Sequence, residues 1–411
     1  MQLITIVIYL SIYIGLIATT FYILSFAAGT KKKKLLYTDD ELPSVSVIIP
    51  AYNEEESIAK TIKSISKSDY PNFEIIVVDD GSTDNTLKIA KSFECGKIRV
   101  FHKENGGKGT ALNLGIKKAR GKIIFTMDAD TIVDSQSMKK MVRFFKDSQV
   151  MSVTPAMVLC KPKTIFQRIQ YTEYLLGLFL RKAFASLQSI YITPGAFSAY
   201  RKSFFEKFGG YAVGNITEDL EMGLRIQYNG YRIENCPEAP AYTNSPKTFK
   251  AVMIQRRRWY FGLLKNLWDY RRIIGTKYGD LGTFVIPIAL ISIFFSVFAT
   301  TYLFFKTLFD VKDNLLFYQS VNFDFSNLFN INAYMVERSL FLFFSNPVVL
   351  FIILFMCVLG FYMYYASRKI GKLSNLVTNI LLFYLFFSIL FGFWWIVSIF
   401  YTIFSKTVKW R

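Results

Sequence analysis

The chain contains little cysteine and histidine, which limits the chemistry it can support. Its 411 residues include four cysteines and one histidine. The cysteines, at positions 95, 160, 236 and 357, are scattered without C-x-x-C spacing, so neither a disulfide framework nor a zinc site is supported. His102 follows a predicted strand, and we interpret it as structural. No serine or cysteine stands in a pattern typical of a catalytic nucleophile.

Acidic residues are also scarce, since 30 Asp and Glu stand against 49 Lys and Arg, for a formal net charge of +19. Such an excess can indicate nucleic-acid binding. The basic residues cluster instead in KKKK (31–34), RKAF (181–184) and QRRRW (255–259), close to predicted membrane edges. An anionic lipid surface and an anionic substrate explain this distribution better. We therefore predict no nucleic-acid partner.

Two common phosphate-binding patterns are missing as well. The glycine-rich stretch ENGGKGTALNLGIKKA, residues 104–119, does not match G-x-x-x-x-G-K-[ST], and no G-x-G-x-x-G follows a strand. Walker-type NTPases and dinucleotide oxidoreductases are therefore not supported. The stretch predicts a turn in which Lys108 enters a helix and presents backbone N–H groups and one cation to phosphate. We expect the ligand to be a nucleotide diphosphate.

Long apolar runs are present near both ends of the chain, where hydrophobic residues are concentrated. Residues 3–28, 284–309, 340–365 and 376–404 have almost no charge and are each long enough to cross a bilayer. We predict four transmembrane helices, with the KKKK run on the cytoplasmic side. Parity then puts the basic C-terminal tail outside, against the positive-inside rule. One helix is therefore either miscounted or lies in the interface.

The predicted organisation follows from these runs. Two further stretches are basic and rich in Phe, Tyr and Leu, as expected of interfacial helices. We expect a multi-pass plasma-membrane protein with its central domain in the cytoplasm. Its parts are an N-terminal transmembrane helix (1–30), a cytosolic domain (31–245) containing an interfacial helix (164–188), a second interfacial helix with QRRRW (246–277), and a C-terminal transmembrane region (278–411).

The central domain alternates short β-branched runs with helical ones, which predicts an α/β fold whose mostly parallel sheet has helices on both faces. Two predicted strands end on acid, at Asp79-Asp80 and at Asp128-Ala129-Asp130. Ligands bind at the carboxyl edge of such sheets. Negative charge concentrated there is unfavourable without a cation, so we predict Mg²⁺ or Mn²⁺. We interpret Asp84 as a cap or turn residue.

A third acidic motif opens a predicted amphipathic helix. In GNITEDLEMGLRIQYNGYRI, Thr217, Glu218 and Asp219 stand at the start of the helix. Acidic residues in this position often only complement the helix dipole. The motif by itself therefore leaves a structural and a catalytic role equally open.

The segments AYNEEESI, VVDDGSTDNT, NGGKGTALNLG, TMDAD, TEDLEMGLR and QRRRW occur in this order along the chain. Together they make the chain resemble the processive family 2 glycosyltransferases, which include cellulose, chitin, hyaluronan and poly-N-acetylglucosamine synthases. The resemblance covers residues 45–262, and the predicted flanking helices match the family's layout. It implies a GT-A-type nucleotide-sugar-binding domain inserted between transmembrane helices.

On the donor side, the resemblance implies roles residue by residue. Lys108 matches a lysine that contacts the nucleotide or its phosphates. The positions that hold the nucleotide base and ribose match Tyr52, Glu54, Asp79 and Asp80.

At the reacting centre, Asp128 and Asp130 match the family's D-x-D motif, whose last aspartate coordinates the metal on the diphosphate. Asp219 matches the general base of T-E-D, which removes a proton from the acceptor hydroxyl, and Glu218 precedes it in the same catalytic motif.

On the acceptor side, the family's Q-x-x-R-W motif has an arginine that stabilises the leaving diphosphate and a tryptophan that stacks on the acceptor sugar. We expect Arg256 to face lipid instead. The loop TPGAFSAYRKS, residues 193–203, is loosely similar to the loop beneath the acceptor. The matching residues of the motif are Gln255, Arg257, Arg258 and Trp259.

The resemblance implies an inverting enzyme that polymerises a UDP-activated sugar into an extracellular β-linked polysaccharide and translocates it. Its partners would be the UDP-sugar donor, the growing polysaccharide and the lipid bilayer, with any accessory subunit left open. The compact layout resembles poly-N-acetylglucosamine synthases more than cellulose synthase and favours UDP-N-acetylglucosamine. UDP-glucose and UDP-glucuronate, as used by cellulose- and hyaluronan-type synthases, stay open.

Two other interpretations also stay open. The first is a non-processive glycosyltransferase that makes a glycolipid, although QRRRW and the two interfacial stretches argue against it. The second is a membrane scaffold or transporter whose domain only binds a nucleotide sugar. A base beside an acceptor platform disfavours this second interpretation, because a binding protein needs neither.

Overall fold

The structure is a computed structural model that describes residues 2–29, 37–320, 332–370 and 376–404. The chain divides into two compact units. The sheet unit comprises Tyr22–Pro287 with Ser398–Arg411, and the helical unit comprises Met1–Phe21 with Ile288–Val397. The KKKK run and the basic C-terminal tail, on which the topology prediction depends, lie outside the described residues.

The sheet unit is built on one eight-stranded sheet with the strand order β3-β2-β1-β4-β7-β6-β8-β5. Its central strands are continuous apolar runs, as expected where helices cover both faces. The strands are β1 (Val45–Ala51), β2 (Phe73–Asp79), β3 (Ile98–His102), β4 (Ile123–Met127), β5 (Ile132–Val133), β6 (Val150–Leu159), β7 (Phe197–Arg201) and β8 (Arg232–Thr243).

The strand directions make the sheet mixed. Strand β1 pairs in parallel with β2 and β4, β2 pairs in parallel with β3, and β6 pairs in parallel with β8. Strand β7 runs antiparallel between β4 and β6, and β5 pairs antiparallel with β8. The predicted α/β fold is confirmed, and the antiparallel pairs lie in the half of the sheet that follows β4 in the strand order.

Helices cover both faces of the sheet, as predicted. Alternate residues of β1 point to opposite sides, so Val47 and Ile49 belong to one buried cluster and Ile48 to another. Helices α2 and α5 pack in the first cluster, and α4 and α8 in the second. The helices of this unit are α2 (Ile58–Ser66), α3 (Thr86–Lys91), α4 (Lys108–Lys118), α5 (Ser137–Val142), α6 (Ile165–Ser186), α7 (Lys202–Phe208), α8 (Glu218–Tyr228) and α9 (Phe249–Asp269).

The parallel strands bring the acidic motifs to one edge. In the register of β1 and β2, Ala51 is opposite Asp79, and β4 ends at Met127 immediately before Asp128. Because β1, β2 and β4 run in the same direction, the residues that follow them lie at the same edge of the sheet. The predicted convergence of Asp79 and Asp128 on one edge is therefore confirmed.

The remaining helices contain the long apolar segments. Within the described parts of the chain, three helices are long and apolar enough to cross a membrane: Ile6–Ala27, Leu281–Ser320 and Pro347–Tyr365. A fourth is possible if the bent pair Leu376–Phe387 and Ile389–Ile403 forms one span. The helices are α1 (Gln2–Gly29), α10 (Ile286–Ser320), α11 (Ala333–Ser345), α12 (Pro347–Ile370) and α13 (Leu376–Ile403).

The structure changes two details of the predicted spans. The third apolar run was expected to start at residue 340, but the helix is interrupted at Asn346, and Pro347 begins α12. Proline favours the first turn of a helix because its missing N–H has no intrahelical partner there. The fourth run is bent by 43°. It is therefore the segment for which the number of membrane crossings, four in the sequence prediction, is in question.

We predict that Gly115→Ala destabilises the sheet unit. A Cβ atom at Gly115 on α4 would lie 2.3 Å from Cγ2 of Ile48 on β1, so the helix must move away from the sheet. Such overpacking costs about 1–3 kcal/mol. The matched control is Gly177→Ala on α6, where a Cβ would meet no atom of the described residues within 4 Å. Thermal unfolding of the purified protein should show a lower midpoint for Gly115→Ala alone, and equal midpoints would contradict the packing argument.

Candidate active site

A polar cavity of about 250 Å³ lies at the carboxyl edge of the sheet. Eight parts of the chain line it: the start of α4, the segment after β4, β6, α6, the loop before β7, the start of α8, the end of β8 and the middle of α9. Most of the predicted reactive residues meet in this cavity. Its lining is Lys108, Asp128, Asp130, Met157, Tyr174, Pro194, Gly195, Ala196, Ile216, Thr217, Glu218, Asp219, Thr243, Asn244, Gln255, Arg258 and Trp259.

Lys108, the first residue of α4, joins the acidic groups of the cavity. Its Nζ atom lies 2.7 Å from Asp128 Oδ1 and 3.1 Å from Glu218 Oε1. Burial by itself would lower the pKa of Lys108, but the carboxylates of Asp128, Glu218 and Asp219 outweigh burial and raise it. Lys108 is therefore a permanent cation between the segment after β4 and the start of α8.

The segment after β4 provides a pair of carboxylates. Burial, followed by the negative charges of Asp128 and Glu54, raises the pKa of Asp130 to about 6. A bound cation that prefers oxygen ligands would offset this unfavourable negative charge. No cluster of three or more potential metal-ligating His, Cys, Asp or Glu residues occurs within the described ranges. Asp128 and Asp130 nevertheless fit Mg²⁺ or Mn²⁺, because such ions are often held by one or two carboxylates together with substrate phosphates.

Asp80 holds the glycine-rich turn rather than lining the cavity. Its carboxylate accepts hydrogen bonds from the backbone N–H groups of Gly106 (3.1 Å) and Gly107 (2.8 Å) and from Lys103 Nζ (2.7 Å). Gly107 has a φ of +87°, a conformation that favours glycine. Asp80 thus fixes the turn that delivers Lys108 to the cavity.

The other residues predicted for the base and ribose, Tyr52, Glu54 and Asp79, also lie outside the cavity lining. Asp79 is fully buried, and its Oδ2 atom is 2.7 Å from Nδ1 of His102. This contact agrees with a structural role for His102. Tyr52 follows β1 and is 38% exposed, and Glu54 accepts a hydrogen bond of 2.7 Å from the Ser57 hydroxyl.

Asp219 lies in the first turn of α8 and is held by the loop before β7. Its Oδ2 atom accepts a hydrogen bond from the Gly195 N–H (3.3 Å), and its backbone carbonyl accepts one from the Thr193 hydroxyl (2.7 Å). Burial raises the pKa of the neighbouring Glu218, and Lys108 opposes this rise. The loop that loosely matched the family thus contacts the predicted base directly.

Helix α9 brings part of the QRRRW segment to the same cavity. Gln255, Arg258 and Trp259 line it, whereas Arg257 lies outside the lining with its guanidinium 4.5 Å from the ring centre of Tyr401. The Oε1 atom of Gln255 is buried, and the described residues provide no hydrogen-bond partner for it. A ligand hydroxyl in the cavity would satisfy this acceptor.

The expectation that Arg256 faces lipid is wrong. Arg256 is 1% exposed, and its guanidinium donates two hydrogen bonds to the carboxylate of Glu173 on α6, at 2.7 and 2.5 Å. A guanidinium can be buried in this way because a carboxylate matches its two-pronged geometry. The sequence contains no local signal for this pair, since the two residues are 83 positions apart.

Helix α9 is also fixed to the start of α8. The Asn266 amide donates a hydrogen bond of 2.9 Å to the Thr217 hydroxyl, and the Asn215 amide donates one of 2.8 Å to Asn266. A Cβ atom at Gly262 would lie 2.2 Å from the Thr217 hydroxyl oxygen, so the helices approach closely at this glycine. These contacts set the position of Trp259 relative to Asp219.

Several cavity residues were missed by the sequence analysis. Tyr174 lies on α6, within a stretch identified only as an interfacial helix. Thr243 ends β8 and Asn244 follows it, and a polar residue after a strand is a signal that could have identified Asn244. Met157 on β6 has no distinguishing signal in the sequence.

Comparison with known proteins agrees with this geometry. Residues 46–209 match the family model described as Glycosyl transferase family 2. The chain is 31% identical over 260 residues to the poly-beta-1,6-N-acetyl-D-glucosamine synthase of Staphylococcus aureus (strain COL), covering 62% of this chain and 63% of the relative. It is 31% identical over 237 residues to the synthase of the same name from Staphylococcus epidermidis, covering 56% and 58%. The matches thus cover less than two thirds of either relative.

A solved structure supports the fold. The mannosyltransferase PcManGT from Pyrobaculum calidifontis, in complex with GDP-Man and Mn²⁺, aligns with a TM-score of 0.57 at 18% sequence identity. The alignment covers 98% of this chain and 100% of that structure. Together with the family match, it confirms the predicted GT-A-type α/β domain.

We predict that Asp130→Asn stabilises the metal-free protein. The substitution removes the charge that burial, Asp128 and Glu54 disfavour, so unfolding in EDTA should require more free energy by on the order of 2 kcal/mol. Adding Mn²⁺ with a nucleoside diphosphate should then raise the melting temperature of the wild type but not of the variant. Asp40 is exposed and lies outside the cavity lining, so the control Asp40→Asn should behave like the wild type. Equal ligand-induced shifts in Asp130→Asn and wild type would exclude Asp130 as a ligand.

Proposed function

Because residues 46–209 match the Glycosyl transferase family 2 model, we propose that the chain is a membrane-embedded inverting glycosyltransferase. It polymerises a UDP-activated sugar, with UDP-N-acetylglucosamine as the favoured donor, into an extracellular β-linked polysaccharide and translocates it. The observation that carries this proposal is the shared cavity. It combines the carboxylates and lysine suited to a donor diphosphate with Asp219 and with the acceptor-type residues Gln255 and Trp259.

Asp219 is the general base of the proposed reaction. Its carboxylate lines the cavity, and the hydrogen bond from the Gly195 N–H orients it. It removes the proton from the acceptor hydroxyl as the hydroxyl oxygen attacks the anomeric carbon of the donor. A single displacement inverts the configuration at that carbon and needs no covalent nucleophile.

Cationic groups stabilise the leaving UDP. Arg258 lines the cavity and Lys108 already lies among its carboxylates, so both can balance the negative charge that develops on the diphosphate. Asp128 and Asp130 would hold Mg²⁺ or Mn²⁺, which supplies Lewis-acid stabilisation of the leaving oxygen when bound. Moving Lys108 from Asp128 to the phosphates would free that carboxylate for the metal.

The acceptor binds against Trp259 and Gln255. An indole ring offers a flat apolar surface to sugar C–H groups. The buried Oε1 atom of Gln255 can accept a hydrogen bond from a sugar hydroxyl. Binding both substrates in one cavity removes much of the entropic barrier to transfer.

The choice of donor rests on the relatives. The staphylococcal proteins that match 62% of this chain are named poly-beta-1,6-N-acetyl-D-glucosamine synthases, which favours the same sugar here. UDP-glucose and UDP-glucuronate are the alternatives, because the cavity motifs bind the diphosphate and do not specify the sugar. A comparison of UDP release from the three donors is therefore needed to identify the sugar.

The long apolar helices support a multi-pass plasma-membrane protein. We place the sheet unit in the cytoplasm, where nucleotide sugars are available, and propose that the product leaves through the membrane. Any accessory membrane subunit remains open.

We predict that purified protein in lipid vesicles releases UDP from one of three donors: UDP-N-acetylglucosamine, UDP-glucose or UDP-glucuronate. Release should require Mg²⁺ or Mn²⁺ and be accompanied by long chains on sizing of the product. Asp219→Asn should lower turnover by about 10²–10⁴-fold, because the acceptor hydroxyl loses its base.

Asp84→Asn is the matched control for that experiment. Asp84 caps a turn and accepts a hydrogen bond from the Thr86 N–H outside the cavity, so its variant should retain activity close to wild type. Turnover that persists in Asp219→Asn would refute the assigned base. A product consisting of a singly glycosylated lipid would refute polymerisation and favour the non-processive alternative.

A further inference from the structure

The Glu173–Arg256 ion pair joins α6 to α9, with the Arg256 side chain 1% exposed and the Glu173 side chain 22% exposed. The two guanidinium nitrogens Nη1 and Nη2 each donate to a separate carboxylate oxygen, at 2.7 and 2.5 Å. Burial by itself would lower the pKa of Arg256, but Glu173 outweighs it and raises the pKa. Burial raises the pKa of Glu173, and Arg256 opposes this rise. The charge of each group therefore depends on the other.

A buried ion pair is a weak explanation of stability. Removing two charges from water costs several kcal/mol per ion, and well-packed apolar residues of similar size are often as stable or more stable. Arg256 could be replaced by a methionine and Glu173 by a leucine with little change in volume. The presence of the pair therefore calls for a role other than holding the helices together.

The position of Arg256 suggests that role. The centre of its guanidinium lies 4.5 Å from the ring centre of Trp259, three residues further along α9. A planar guanidinium stacks well on an indole ring. Trp259 itself lines the cavity, as does Tyr174, the residue after Glu173 on α6. The ion pair therefore contacts one cavity-lining side chain, Trp259, and holds α9 to the helix that carries another, Tyr174.

We propose that Glu173 and Arg256 are a positioning pair that holds the Trp259 ring in place for the acceptor end of the sugar chain. This inference rests on the proposed function and deepens it. The Arg256 guanidinium over the Trp259 ring restricts the rotation of that ring, and Glu173 restricts Arg256 in turn. Acceptor affinity, and with it the number of sugars added before the chain dissociates, depends on the pair, whereas donor binding does not.

The test compares the full-length protein in lipid with the paired variant Glu173→Leu/Arg256→Met. We expect the KM for a short β-1,6-linked N-acetylglucosamine oligosaccharide to rise about five- to tenfold, as loss of a desolvated cation–π contact would produce. The KM for UDP-N-acetylglucosamine and the turnover at saturating acceptor should stay close to wild type, and the product should be shorter. An unchanged acceptor KM, or an equal rise in both KM values, would overturn the proposal.

Two further variants guard against a folding defect. Arg256→Lys keeps a positive charge opposite Glu173 but loses the planar two-pronged group, so it should also raise the acceptor KM. Arg99→Met removes the guanidinium of another ion pair, Arg99–Glu74 at 2.6 Å, neither residue of which lines the cavity. It should leave the acceptor KM unchanged. A rise in Arg99→Met equal to that in the paired variant would mean that the effect is general destabilisation.

A second readout separates this proposal from the proposed function. Isothermal titration of the same oligosaccharide without any donor reports the acceptor site even if the wild type shows no turnover. Weaker binding to the paired variant than to the wild type supports the positioning role. Equal binding to both refutes it, whatever the donor assay shows.

Discussion

The contacts of Lys108 are the interaction on which the candidate site depends. One ammonium group lies within 3.1 Å of carboxylates from two different parts of the fold, Asp128 after β4 and Glu218 at the start of α8. Without this cation, the four acidic side chains of the cavity, Asp128, Asp130, Glu218 and Asp219, would share a partly buried space uncompensated, which is unfavourable. Lys108 therefore allows the carboxylates after β4 and those at the start of α8 to share one cavity.

The position of Lys108 depends in turn on the glycine-rich turn. Asp80 at the end of β2 binds the backbone of that turn, so the strand edge, the turn and the lysine form a continuous chain of contacts. A similar chain fixes the other side of the cavity, where Asn266 and the close approach at Gly262 hold α9 against Thr217. Rigid support of this kind is what a site needs if two substrates are to meet in a fixed geometry.

Much of this arrangement could be predicted from particular residues. The apolar strands ending in Asp79 and Asp128 identify a parallel sheet edge with converging carboxylates, because strand direction follows from the alternation of strands and helices. The sequence also predicted that Lys108 enters a helix after a glycine-rich turn and that Asp219 stands at the start of a helix. Arg256 was misjudged because three consecutive arginines near an apolar segment look alike in sequence, and only a partner 83 residues away distinguishes one of them.

The sequence by itself determined the fold class, the acidic motifs at the strand ends and the apolar segments that can cross a membrane, because each depends on neighbouring residues and their periodicity. The tertiary structure decided which residues share the cavity. It brought in Tyr174 and Asn244, placed Arg257 against Tyr401 and paired Glu173 with Arg256. Such contacts join residues far apart in the chain, so they depend on how helices pack rather than on local pattern.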